Sequence, residues 1–119
     1  MFICLMYSNE LVRGTLKTII LKLLSKGEKM YGYEITQKVR ELSKDKIMIT
    51  EGALYPLLHQ LEAEEVLIVE LVNIGKRVRK YYKLTDIGDK KAKEKVSEFA
   101  DFIQTMQQIL DLKPELKYA

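Results

Sequence analysis

The chain has little of what most catalytic, metal-bound or exported proteins require. One cysteine in 119 residues, Cys4, excludes an internal disulfide and any multi-cysteine zinc site, and it fits a reducing, cytoplasmic setting. The simplest reading of Cys4 is an inert buried thiol. One histidine, His59, has no serine, cysteine or carboxylate constellation around it, and no HExxH or Cys/His spacing is present, so neither a triad nor a metal centre is predicted. The six glycines form neither a P-loop nor a GxGxxG turn, which removes the phosphate cradle that nucleotide chemistry needs. No enzyme activity, cofactor or metal is predicted. There is no tryptophan. The longest apolar opening, Phe2 to Tyr7, falls far short of the roughly 18 residues that span a bilayer, and no basic region or small-residue cleavage site accompanies it, so neither a membrane nor an export role is expected. Met1 and Met6 are alternative starts. A net charge of +3 is too small to name a polyanion as partner, so the placement of the charge matters more.

What is present is one hydrophobic pattern, without repeats or low-complexity tracts. At 47% hydrophobic content the chain can bury a single core. Val12, Leu16, Ile19, Ile20, Leu23 and Leu24 predict one amphipathic first helix, weakened at Gly14 and ending near Lys26-Gly27. Tyr31, Ile35, Val39 and Leu42 predict a second helix of about three turns. Ile47-Met48-Ile49 is read as a short strand before Thr50, whose hydroxyl can cap the next helix. That third helix, "EGALYPLLHQLE", sets Leu54, Leu57, Leu58 and Leu61 on one side. Then "VLIVELVN" (66–73) and "VRKYYKL" (78–84) are β-rich runs around an "IGKR" turn and predict a hairpin. Thr85-Asp86 signals a last helix that continues to about Leu112 and is stopped by Pro114.

On the last helix Ala92, Val96, Phe99, Ile103, Met106 and Leu110 alternate spacings of four and three, with Phe102 and Ile109 widening the stripe; this is a coiled-coil seam, and it demands a partner helix. The element order predicts a mainly α fold with a small β-hairpin (α+β): a winged helix-turn-helix with an appended C-terminal dimerisation helix. Residues 1–84 would form the winged helix-turn-helix domain and 85–119 the dimerisation helix and tail.

Two features point to double-stranded DNA. Opposite the leucines of the third helix lie Gly52, Pro56, His59 and Ala63, flanked by Ala53, Gln60 and Tyr55, a small and mostly uncharged face of the kind that enters a major groove. Two readings of its glycine and proline stand at this point. They either delay the tight helix until about Pro56, making the first turns a presentation loop, or merely shape a turn into a core helix. The hairpin then adds Lys76, Arg77, Arg79, Lys80 and Lys83 with no acid between Gly75 and Lys83, the footprint expected for phosphate or minor-groove contact. Tyr81 and Tyr82 should split by alternation, one to the core and one outward.

"RGTLKTIILKLLSKGEKMYGYEI" (13–35), "GALYPLLHQLEAE" (52–64) and "RKYYKLTDIG" (79–88) resemble the PadR-type transcriptional regulators over most of the chain. The resemblance implies a homodimeric winged-helix repressor on a palindromic operator, paired through the first and last helices, with small aromatic or drug-like effectors bound at that interface in some members. It implies DNA contact at Tyr33, Gly52, Tyr55, Lys76, Arg77, Arg79 and Lys80; Thr50, Ala53 and His59 complete the expected contact set. The chain departs from the pattern at Glu51, where members often carry Ser or Pro, and at Glu65, where glycine is usual. Lacking tryptophan, it cannot build the aromatic sandwich of some relatives. Phe99, Phe102 and Met106 could line an effector pocket, although such spacing is more often simply core. The rival reading is a dimeric winged-helix adaptor for another protein that binds no DNA.

Overall fold

The computed structural model describes residues 7–112. Cys4, most of the apolar opening and Pro114 lie outside the described residues. Five helices and one hairpin follow in order: α1 (Asn9–Arg13), α2 (Leu16–Leu23), α3 (Gly32–Leu42), α4 (Glu51–Ala63), β1 (Leu67–Ile74), β2 (Arg77–Leu84) and α5 (Asp86–Ile109). This is the α+β winged helix expected, with the long helix appended.

Several boundaries differ from the sequence reading. The first helix is two: the Thr15 hydroxyl and amide both donate to the Val12 carbonyl (2.8 and 2.9 Å), closing a turn at Gly14 before α2 starts. Pattern alone joined them because Val12 and Leu16 are both buried. Residues 47–49 do not form a strand of the sheet, which has only β1 and β2. Instead the Ser43 hydroxyl accepts the Ile47 N–H (2.9 Å), and Ile49 is buried in the core. Helix α4 does not wait for Pro56. It is helical from Glu51, with the Ala53 N–H donating to the Thr50 hydroxyl (3.2 Å) as the sequence predicts. Proline removes a single amide there, and the carbonyl it would have met belongs to exposed Gly52, where water can take it. Helix α5 ends at Ile109 rather than Leu112, because Asp111 turns to φ 58° and the Leu112 N–H closes on the Gln107 carbonyl (2.8 Å).

The core is built from Leu16, Ile20, Leu21 and Leu24 of α2, Ile35 and Val39 of α3, and Leu54, Leu58 and Leu61 of α4. Val66, Leu67 and Tyr82 close it from the hairpin base and Ala92 from α5. Each fully buried leucine contributes about 1.5–3 kcal/mol by leaving water. Gly75, at φ 61°, supplies the positive φ that a two-residue hairpin loop needs at its first position, and Ile74 then pairs with Arg77. On the far edge of β2, Met30 and Tyr82 exchange backbone hydrogen bonds of 3.1 and 2.8 Å, tying the wing to the start of α3.

One knot joins α4, the wing and α5. Glu65 sits at φ 61° after α4, and the Val66 N–H donates to the Leu61 carbonyl (2.9 Å) while the Glu65 N–H donates to that of Glu62 (3.0 Å). Thr85 donates its hydroxyl to the Glu65 carbonyl (2.7 Å) and accepts the Gly88 N–H (3.0 Å) as cap of α5. A Cβ on Gly88 would meet the Val66 carbonyl at 2.1 Å, so only glycine lets α5 leave the wing this closely.

Candidate nucleic-acid interface

Helix α4 buries Leu54, Leu58 and Leu61, which turns Gly52, Pro56 and His59 to solvent. Thr50 is exposed, its side chain engaged as the cap. Ala53 is half-buried, packed against Val12, and lines a shallow groove with Arg13, Lys17, Gly52, Pro56 and Gln60. Tyr55 leans the other way, towards α3 and the wing. A Cβ on Gly32 would lie 2.3 Å from the Tyr55 hydroxyl, so the glycine of "YGY" makes room for that ring. Burial, and then the Glu51 carboxylate, raise the Tyr55 pKa above its ordinary value. His59 stands beside it, ring centroids 6.3 Å apart.

The wing alternates as its register dictates. Tyr82 is buried to 1% exposure with Val69 and Leu67 on the inner face, while Tyr81, Arg79 and Arg77 share the opposite one. The split of the two tyrosines is therefore as expected. Lys76, Arg77 and Lys80 are exposed at or near the tip and make no ion pair or ring contact among the described residues. Arg79 differs. Its guanidinium carbon lies 4.0 Å from the Tyr31 ring centroid, and Tyr81 meets the same ring edge-on at 5.4 Å. A hydrogen bond with Tyr81 is the main cause of a raised Arg79 pKa. Lys29, over the Tyr81 ring at 5.3 Å, pairs with Glu70 and holds that carboxylate below its usual range, first by the hydrogen bond and then by charge.

Tyr31, Tyr55, Ile74, Arg77, Arg79 and Lys80 line a cleft of about 350 Å³ between α4 and the wing. The fold thus brings Tyr55, Arg77, Arg79 and Lys80 together. Exposed Tyr33 joins them through Tyr31, ring centroids 6.4 Å apart. Tyr31 and Lys29 are members of the cluster that sequence reasoning missed; the clue available was "KMYGY", a basic and aromatic run just before a helix start.

The α5 seam divides. Ala92 is buried within the chain's own core, and half-buried Val96 and Phe99 border a groove of about 480 Å³ with Ile19, Leu23, Val39 and Leu42. Further along, Phe102 is 54% exposed, Ile103 45% and Leu110 56%, with Met106 half-buried among them. Among the described residues no helix is long and apolar enough to cross a membrane.

Residues 20–94 match the transcriptional regulator PadR-like family. The chain is 34% identical over 80 residues to the transcriptional regulator Rv3488 of Mycobacterium tuberculosis, covering 67% of this chain and 71% of that one. Among solved structures it resembles a transcriptional regulator from Clostridium thermocellum (TM-score 0.77, 30% identity, 86% of this chain and 96% of that one). It also resembles a PadR family regulator from Eggerthella lenta (TM-score 0.76, 32% identity, 87% and 88%). A basic wing beside an uncharged helix face, on a fold shared with these regulators over most of its length, leads to one assignment: the chain belongs to the PadR-like family of transcriptional regulators, winged-helix proteins that bind DNA.

Proposed function

We propose that the protein is a cytoplasmic repressor that binds a palindromic operator as a homodimer, with α4 in the major groove and the wing on flanking phosphates or the minor groove. The observation that carries this reading is the cleft that sets Tyr55 of α4 next to Arg77, Arg79 and Lys80 of the wing. In this reading residues 1–84 bind DNA and 85–119 pair the protomers, with α1 and α2 adding contacts. Exposed Phe102, Ile103 and Leu110 supply the apolar seam that a second α5 would cover. Relief by a small aromatic or drug-like effector belongs to the proposal, supported by the apolar groove at Val96 and Phe99.

A dimer that places both α4 helices in successive major grooves requires half-sites about 34 to 36 Å apart. Its binding should fall on the order of 10³-fold between 50 and 200 mM salt. Fluorescence anisotropy against the DNA upstream of its own gene, together with sedimentation of Ile103→Asp, tests both parts. A salt-insensitive interaction, or a monomer that binds as tightly as the wild type, would refute them. The acidic residues Glu51, Glu62 and Glu64 on and after α4 favour the second reading, a dimeric adaptor for another protein. That reading expects no shift of any duplex at low salt.

A further inference from the structure

We propose that Tyr31 is a positioning residue for DNA binding: its ring holds the Arg79 guanidinium in place and leaves the N–H donors that Tyr81 does not take free for a backbone phosphate. The inference rests on the DNA-binding reading above. An arginine on an exposed ribbon has several free torsions and loses them when it grips a phosphate, which weakens the contact. Stacking on an aromatic face removes part of that loss in advance and does not consume the planar fork of donors.

The geometry around Tyr31 suits this role. Arg79 lies 4.0 Å over the ring, in the same cleft as Tyr55, Arg77 and Lys80. The residue is itself held by its backbone and by a ring contact. Its backbone N–H donates to the Glu34 carboxylate (3.1 Å), its neighbour Met30 is bonded to Tyr82, and Tyr81 supports it edge-on. Glu34, whose charge acts on Arg79, is engaged by this N–H at the start of α3. Lys29 is paired with Glu70, so of the two cations on these rings only Arg79 has no carboxylate partner among the described residues. Arg77 and Lys80 have no comparable support and must be ordered by the DNA itself.

The test is a set of operator-binding titrations against salt on the full-length dimer. Tyr31→Leu should weaken binding about two- to fivefold with the salt slope unchanged, and Tyr31→Phe, which keeps the ring face, should bind as the wild type. Arg79→Gln should lower the slope by about one. Placed in the Arg79→Gln background, Tyr31→Leu should cost nothing further. Three results would overturn the proposal: a Tyr31→Phe as weak as Tyr31→Leu, equal loss from Tyr31→Leu in both backgrounds, or an unchanged slope for Arg79→Gln. The stack is also readable without DNA or mutation, as an upfield ring-current shift of the Arg79 side-chain protons by NMR; a wild type lacking that shift overturns the proposal too. If the shift is present but no duplex binds, the DNA-binding reading has failed and the stack has survived without a role.

Discussion

Helix α4 and its cap carry Glu51, Glu62 and Glu64 and no lysine or arginine, whereas the hairpin beside it carries Lys76, Arg77, Arg79, Lys80 and Lys83 against the single Glu70. The two halves of one proposed interface therefore have opposite charge. A helix with that composition gains nothing from a polyanion at long range; of the two elements, only the wing attracts one. The difference teaches a division of labour in which the wing supplies affinity and α4 supplies discrimination. Glu51, at the positive end of the α4 dipole, stabilises the helix and repels phosphate, so the groove end of α4 suits a base edge, such as the amino group of cytosine.

The comparison is broken most directly at the wing. Replacing Arg77 and Lys80 together with Ala should weaken binding to every duplex on the order of a hundredfold at moderate salt and lower the salt slope by about two. Anisotropy titrations on operator and scrambled DNA measure both. A loss confined to the operator would mean that the wing reads sequence, and the division would be wrong.

Next in size is the converse experiment on α4. His59→Ala should leave the salt slope alone and change the ranking of operator variants by about 1–3 kcal/mol at one position in each half-site. Selection from a randomised duplex pool, before and after the substitution, reads this out. Uniform weakening across the pool would place His59 on phosphate instead.

Most of the scaffold behind these expectations was legible in the sequence, because helix and strand periods translate directly into buried faces: Leu54, Leu58 and Leu61 fall where their spacing put them, and Tyr81 and Tyr82 split as alternation requires, although which of the two goes inward was not fixed. The break between α1 and α2 was not legible, since it depends on a threonine hydroxyl closing back on Val12 while the apolar pattern runs through. Of the two readings left open at Gly52 and Pro56, the delayed helix fails: α4 starts at Glu51, and the carbonyl freed by Pro56 belongs to exposed Gly52. Tyr31 escaped for another reason. Its role exists only once β2 lies against residue 30, a pairing between segments some fifty residues apart that no local period encodes. Ala92 fits the seam by spacing, yet α2 already covers it, so the free part of the seam starts further out, near Phe102.

A smaller effect should come from Glu51→Gln, which sharpens the comparison by removing charge without changing shape. Binding to all duplexes should tighten a few-fold, while the unfolding free energy falls by about 0.3–1 kcal/mol as the helix dipole loses its carboxylate. The Tyr55 pKa should drop part of the way back, since burial, the larger cause of its elevation, remains. Denaturant melts, anisotropy and ultraviolet titration give the three numbers. Unchanged binding would show that the N-terminus of α4 stays clear of the phosphates.

The smallest effect on binding is expected at the joint between the two regions. Glu65 occupies a left-handed conformation (φ 61°) that costs a non-glycine residue about 1 kcal/mol or more, and its backbone closes α4 through the Glu62 carbonyl. Glu65→Gly removes that strain and loosens the unfolded chain, for a net gain of about 0.5–1 kcal/mol and a rise of roughly 2–5 °C in Tm. The hydrogen bonds that set the wing against α4 are backbone and Thr85 bonds, which glycine keeps. DNA affinity should therefore stay within about twofold, a change below the ~0.5 kcal/mol typical of a neutral surface substitution. A stabilised protein that binds DNA markedly worse would mean that helix and wing are not independent contributors, because their relative angle, tuned at this one residue, would then be part of recognition.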